Sequence, residues 1–64
     1  MVVSGFEPVD VLQLAISLEV QAYDLYSRMA QKSNDESSKA LFLKIVNEEK
    51  GHIALLSKEL DKVI

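Results

Sequence analysis

The chain has 64 residues, of which 48% are hydrophobic, and it contains no cysteine. A chain this short builds only a marginal core, and without cysteine neither a disulfide nor a thiolate-bound metal can stabilise it. A metal site of carboxylates and histidine, or self-association, remains as the source of extra stability. Ten acidic residues against seven basic ones give a net charge of −3, which argues against nucleic acid or an anionic membrane as a partner.

The first eight residues contain neither a basic segment nor the continuous apolar segment of a signal peptide. The apolar residues elsewhere are scattered rather than continuous, so no membrane span is predicted. We therefore expect a soluble cytoplasmic protein.

Glycine and proline occur at only three positions, so the turns of a β-protein are missing and an all-α fold is predicted. A polar stretch over residues 31–38 divides the chain into two periodic segments. This pattern predicts one domain over residues 1–64, an antiparallel helical hairpin. Helix one is expected over about residues 8–31, a turn over about 32–35 and helix two over about 36–63.

Helix one is expected to begin near Pro8, and Glu19 lies in the middle of its apolar stripe. A second apolar row beside the stripe is wider than one neighbouring helix can cover, so more than one partner helix is implied. The stripe consists of Leu12, Ala15, Ile16, Ala22, Tyr23, Tyr26, Met29 and Ala30, and the second row of Val11, Leu14, Leu18 and Leu25.

Helix two is preceded by a capping box, Ser33 with Glu36, although Asn34 or Asp35 could cap the helix instead. Gly51, inside the helix, either permits close helix approach or is exposed without a role. The apolar stripe consists of Phe42, Ile45, Val46, Ile53, Leu56, Leu60 and Val63, and Glu49 and His52 complete its spacing.

Three polar side chains, Glu19, Glu49 and His52, therefore fall on faces predicted to be apolar. A buried unpaired carboxylate is costly, and the basic residues map mostly to the polar sides of the helices. A bound cation is the economical solution, because Glu-x-x-His places two ligands one turn apart on one helix face. Glu48 lies about 100° round the helix from Glu49, so we expect it at the surface or rim.

Three ligands are too few for a closed site, and two helices cannot enclose a core. Two hairpins paired about a two-fold axis would form a ferritin-like four-helix bundle with four carboxylates and two imidazoles, the ligand set of di-iron and di-manganese carboxylate bundles. A homodimer or larger even homo-oligomer with two divalent cations is predicted. Oxygen ligands with one imidazole per metal suit Fe or Mn, and Zn also fits.

The segments that carry these ligands resemble one half of a rubrerythrin-type ferritin-like domain, over about residues 10–60. The resemblance implies that Glu19 is the first-helix metal ligand, Glu49 the bridging carboxylate and His52 the terminal imidazole ligand. It also places Tyr23 and Tyr26 at aromatic positions close to the metals, where a catalytic role is the further expectation. The quoted segments are Ala15–Tyr26 and Leu41–His52.

The chain departs from rubrerythrins in carrying one half of the bundle and no cysteine-ligated iron domain. Encapsulated ferritins are similar in architecture, since their two-helix chains form the di-iron site between subunits. They have a further C-terminal helix and targeting tail, which is not found after Ile64, so packaging in a shell is not expected. A piece of a longer ferritin-like protein is the other interpretation of so short a chain.

Two functions follow from these features. The first is a di-iron oxidoreductase that acts on Fe(II) with O2 or peroxide, as a ferroxidase or a peroxide scavenger, with an electron donor that the sequence does not identify. The alternative is a metal-free structural or regulatory hairpin dimer, in which the inward polar residues determine the register.

Overall fold

The computed structural model describes residues 7–64, which form two α-helices, α1 (Pro8–Lys32) and α2 (Glu36–Val63). The helices pack against each other as an antiparallel hairpin, and the described residues contain no strand. The all-α hairpin predicted from the sequence is confirmed. Gly5 and most of the segment in which no leader was expected lie outside the described residues.

α1 begins at a proline in its first turn. Glu7 precedes it with extended backbone and makes no side-chain cap, while Asp10 lies in the first turn and Lys32 in the last. The fixed φ of Pro8 suits the first helical position, where no amide donor is needed. The acidic start and basic end both complement the helix dipole.

α2 is capped by Asp35, so the capping box predicted from Ser33 is wrong and one of the two named alternatives is correct. The Asp35 carboxylate accepts hydrogen bonds from the backbone amide and the hydroxyl of Ser38, both at 2.9 Å. The hydrogen bond from the backbone amide lowers the pKa of Asp35 most, and the hydrogen bond from the hydroxyl lowers it further. The Ser33 hydroxyl instead donates to the Asp35 carbonyl at 3.4 Å, because α2 begins at Glu36, two residues later than a cap at Ser33 requires.

The two stripes meet along the hairpin, but they enclose little. Only Ala30 and Val46 are buried among the described residues, and Tyr26 stacks on Phe42 with ring centroids 6.2 Å apart. Met29, which the sequence placed in the first stripe, is 37% exposed at its edge. A two-helix layer with one line of contact has no second layer to cover its outer sides.

Large apolar side chains are consequently exposed on the hairpin. The Cα atoms span 48 × 23 × 11 Å, so the hairpin is one helix thick. The second apolar row predicted for α1 is exposed as expected, with 47–56% of each residue accessible, and α2 adds further members. The exposed residues are Val11, Leu14, Leu18, Val20, Leu25, Met29, Leu41, Leu43, Leu55, Val63 and Ile64.

Neither α1 nor α2 has an apolar stretch long enough to cross a membrane.

Candidate metal centre

Glu19, Glu49 and His52 come together midway along the hairpin. Each offers one ligand atom, and these three atoms all lie within 4.8 Å of one another. Glu19 is near the middle of α1 and the other two near the middle of α2, so antiparallel packing brings them to the same height. Within residues 7–64 no other trio of acidic and histidine side chains is grouped in this way.

The imidazole of His52 bridges the two carboxylates. Its Nδ1 atom lies 3.1 Å from Glu49 Oε1 and 3.6 Å from Glu19 Oε2. The side chain of Glu49 is 14% exposed and that of Glu19 29% exposed, whereas that of His52 is 58% exposed. In the single hairpin His52 therefore lies at the edge of the contact between the helices, and its place in the core of a two-chain bundle stays a prediction.

The group holds protons more tightly than separated side chains would. The hydrogen bond with the Glu49 carboxyl group raises the pKa of Glu19, because two carboxyl groups can form a hydrogen bond only when one of them keeps its proton. Desolvation adds to that rise, while His52 opposes it. The hydrogen bond to Glu49 raises the pKa of His52, because it stabilises the imidazolium form.

Basic side chains do not neutralise this pair of carboxylates. Arg28 pairs with Asp24, and Lys62 pairs with Glu59 at 3.1 Å. Among the described residues, no lysine or arginine forms an ion pair with Glu19 or Glu49. The charge on the group is therefore balanced by protons, by the imidazolium of His52 or by a bound cation. Two oxygen donors and one imidazole fit a divalent first-row metal such as iron or manganese.

The two tyrosines lie on different parts of the hairpin. Tyr23 lines a largely apolar open groove of about 390 Å³, together with Val20, Lys50, Ile53 and Ala54. Tyr26 packs on Phe42, towards the turn between the helices. No side-chain hydrogen bond connects either hydroxyl to the metal group in the described part of the chain, so a catalytic role for them stays a prediction.

Glu48 is exposed, as its helical angle predicted.

The groove at Val20 and Lys50 was not predicted from the sequence. Its signal was Val20, an apolar residue that lies outside the predicted stripe of α1 and is 47% exposed.

Residues 10–63 match the family model described as Rubrerythrin. A ferritin-like-encapsulin shell fusion protein of Pyrococcus furiosus is 40% identical over 47 residues, which cover 73% of this chain and 14% of that protein. The chain thus spans about a seventh of the length of this relative. No solved structure gives a significant match.

The helical hairpin and its midpoint group of two carboxylates and one imidazole define half of a ferritin-like carboxylate bundle. The match covers most of the chain, which therefore belongs to the rubrerythrin family. This family typically carries a di-iron centre, and ferritin-like proteins commonly form oligomers. The resemblance inferred from the sequence is confirmed.

Proposed function

We propose that this protein is a di-iron oxidoreductase that binds and oxidises Fe(II) with O2 or peroxide in the cytoplasm. The observation that supports this most directly is the approach of three ligand atoms to within 4.8 Å in a chain of the rubrerythrin family. The same carboxylates have no lysine or arginine partner among the described residues. A bound metal ion would therefore also remove the repulsion between their negative charges.

Two chains would be needed to complete the site. One hairpin supplies two carboxylates and one imidazole, and His52 leaves more than half of its side chain open. A second copy would double the set to four carboxylates and two imidazoles, which is enough for two metal ions. The exposed apolar rows of the hairpin support the same conclusion, because a four-helix bundle would cover them. We therefore propose a homodimer or a larger even assembly.

The three side chains would have different roles. Glu49 is the least exposed and lies beside the other two, a position suited to a bridging ligand. Glu19 and His52 would each complete the coordination of one metal, and the ring nitrogen of His52 opposite its ligating atom would need a hydrogen-bond acceptor. Bound iron supplies the electrons for reduction of O2 or peroxide. Manganese or zinc would also fit this donor set.

A metal-free structural dimer is the second candidate. The observation that favours it is the 3.1 Å contact between His52 and Glu49, which satisfies one carboxylate without a metal. In this case the polar group would determine the register of the two hairpins, as buried polar residues do in coiled coils.

Metal content and Fe(II) oxidation distinguish the two functions. Protein purified without chelator should contain about one iron per chain by elemental analysis. It should also oxidise added Fe(II) in air faster than buffer does. Glu49→Ala and His52→Ala should reduce that oxidation rate to the buffer rate while circular dichroism still shows a helical protein.

The matched control is Asp61→Asn, which alters an exposed carboxylate at the far end of α2 and should leave the rate unchanged. Protein that is purified without bound metal, and that does not oxidise Fe(II) faster than buffer even after iron has been added, would support the structural dimer instead.

A further inference from the structure

We propose that the groove beside Tyr23 binds a small amphiphilic carboxylate, a free fatty acid of medium chain length. The groove has a volume of about 390 Å³, within the range of small-molecule sites, about 300–1,000 Å³. Three of its five lining residues are aliphatic, and Tyr23 and Lys50 complete the lining. The aliphatic residues are Val20, Ile53 and Ala54. This proposal does not rest on the proposed function, since the groove needs neither a metal nor an oxidant to bind such a ligand.

The groove and His52 lie on opposite sides of the hairpin. Successive residues of an α-helix are about 100° apart, so Lys50 lies about 100° round α2 from Glu49 in one sense and His52 about 60° in the other. Val20 and Tyr23 of α1 lie on the same side as Lys50, because they line the same groove. A second chain that approaches His52 would therefore leave the groove accessible.

The walls of the groove suit an alkyl chain. Val20 is 47% exposed and Ile53 is half-buried, so both present apolar surface to water. A chain that lies between α1 and α2 would remove part of this surface from water. Full burial of one methylene group strengthens binding about fourfold, and half burial about twofold. Because the groove is open, we expect the smaller of these two effects.

Lys50 determines the charge of the ligand. It forms no ion pair within residues 7–64, whereas Arg28 and Lys62 each have a carboxylate partner. One ammonium group in a largely apolar groove suits a monoanion with an apolar body. The Tyr23 hydroxyl makes no side-chain hydrogen bond in the same part of the chain, so it is available as a second donor to a carboxylate.

The same charge argues against a second copy of the chain in the groove. A two-fold contact uses the same patch on both copies. A contact centred on the groove would therefore bring the Lys50 side chains of the two copies together, and like charges at short distance repel. No acidic side chain lines the groove to offset this repulsion. An anionic ligand is consequently favoured over a symmetric contact.

Nuclear magnetic resonance tests the proposal on the 64-residue chain labelled with ¹⁵N. Hexanoate, octanoate and decanoate are added below their micelle concentrations, to the protein as purified and again with EDTA. Saturable shifts are expected at Val20, Tyr23 and Ile53, in both conditions. The affinity should rise about twofold per methylene group until the alkyl chain outgrows the groove.

Two sets of controls isolate the charge. Octan-1-ol and octylamine, of the same chain length, should bind about tenfold more weakly than octanoate, because neither offers a carboxylate to Lys50. Lys50→Met keeps an unbranched apolar side chain and should weaken octanoate binding about tenfold, whereas Lys50→Arg should retain it. The matched control is Lys44→Met, which alters an exposed lysine of α2 outside the groove and should bind octanoate as the wild type does.

Three results would overturn the proposal. Equal affinity for octanoate and octan-1-ol, with shifts spread over Leu18 and Leu55, would show adsorption to exposed leucines. Loss of octanoate binding on addition of EDTA would assign the carboxylate to a bound metal. Absence of saturable binding, together with a smaller oligomer for Val20→Glu in sedimentation analysis, would assign the groove to a second copy of the chain.

Discussion

Glu49 is the residue on which the candidate site depends most. It is the least exposed of the three candidate ligands and contributes to the pKa shifts of both others. Glu19 and His52 each meet this carboxylate, so without a metal the group is held together by protons. Metal binding would release those protons, because carboxylate and neutral imidazole are the ligating forms.

Metal-free protein should lose stability as the pH rises. The pKa values of Glu19 and His52 are both raised, so the folded state binds their protons more tightly than the unfolded state. Stability is then fully present below the unfolded pKa and is lost as the pH rises through the folded pKa. This loss of stability begins above pH 4.5 for Glu19 and above pH 6.5 for His52, the ordinary pKa values of these groups. Urea unfolding of the chelated protein, at constant ionic strength and protein concentration, measures this trend.

His52→Ala is the informative variant for this trend. It should flatten the part of the profile above pH 6.5, which belongs to the imidazole, and leave a decline at lower pH. A metal-free wild-type protein that becomes more stable as the pH rises above 6.5 would contradict the assigned proton sharing.

At the scale of the helix, Gly51 is the position of α2 with the lowest intrinsic helix propensity. A Cβ atom added there meets nothing within 4 Å in the described structure, and the residue has no positive φ that would require glycine. Of the two alternatives left by the sequence, close approach between α1 and α2 is therefore not the reason for this glycine. Gly51 is instead exposed on the surface of the hairpin.

Gly51→Ala should stabilise the protein by about 1 kcal/mol, because alanine restricts the unfolded chain and favours the helix. Chemical unfolding at fixed protein concentration gives the change. Lys58→Ala, on the same exposed side of α2, is the control and should have a much smaller effect. Destabilisation by Gly51→Ala alone would indicate that another chain packs over this position.

At the scale of the whole molecule, the hairpin is an incomplete layer, which would gain stability from a bound partner chain or metal. Its described core consists of two buried residues, and its long sides carry exposed leucines and valines. Both a partner chain and a metal would bind the folded state in preference to the unfolded one. Their contributions would be coupled in the proposed dimer, because the second chain would complete the metal site.

Fe(II), Mn(II) or Zn(II) added to chelated protein should raise its melting temperature, by mass action on the folded state. At a free metal concentration of 100 times Kd the gain is about 2.7 kcal/mol per site. Thermal melts followed by circular dichroism measure it, anaerobically for Fe(II). Glu49→Ala should show little gain, whereas Asp61→Asn should respond as the wild type does. An unchanged wild-type melting temperature would contradict metal binding at this group.

The helical hairpin and the three-residue group could be predicted from the sequence by itself. Periodicity of 3.6 residues assigns the inner faces of α1 and α2, and one polar turn makes the helices antiparallel. Glu19 and Glu49 then meet because each is near the middle of its helix. These features depend on spacing along the chain, which needs no coordinates.

The tertiary structure decided how each helix is rotated and where it begins. Asp35 rather than Ser33 caps α2, because its carboxylate accepts a hydrogen bond from the free backbone amide of Ser38 in the first turn of the helix. His52 lies at the edge of the hairpin, and Tyr23 lines a groove on the other side. A periodic pattern identifies a broad face about 100° or more wide, and packing alone selects which part of that face meets the neighbouring helix. That rotation separates the half-buried Glu49 from the accessible His52, and so leaves the candidate site open on one side.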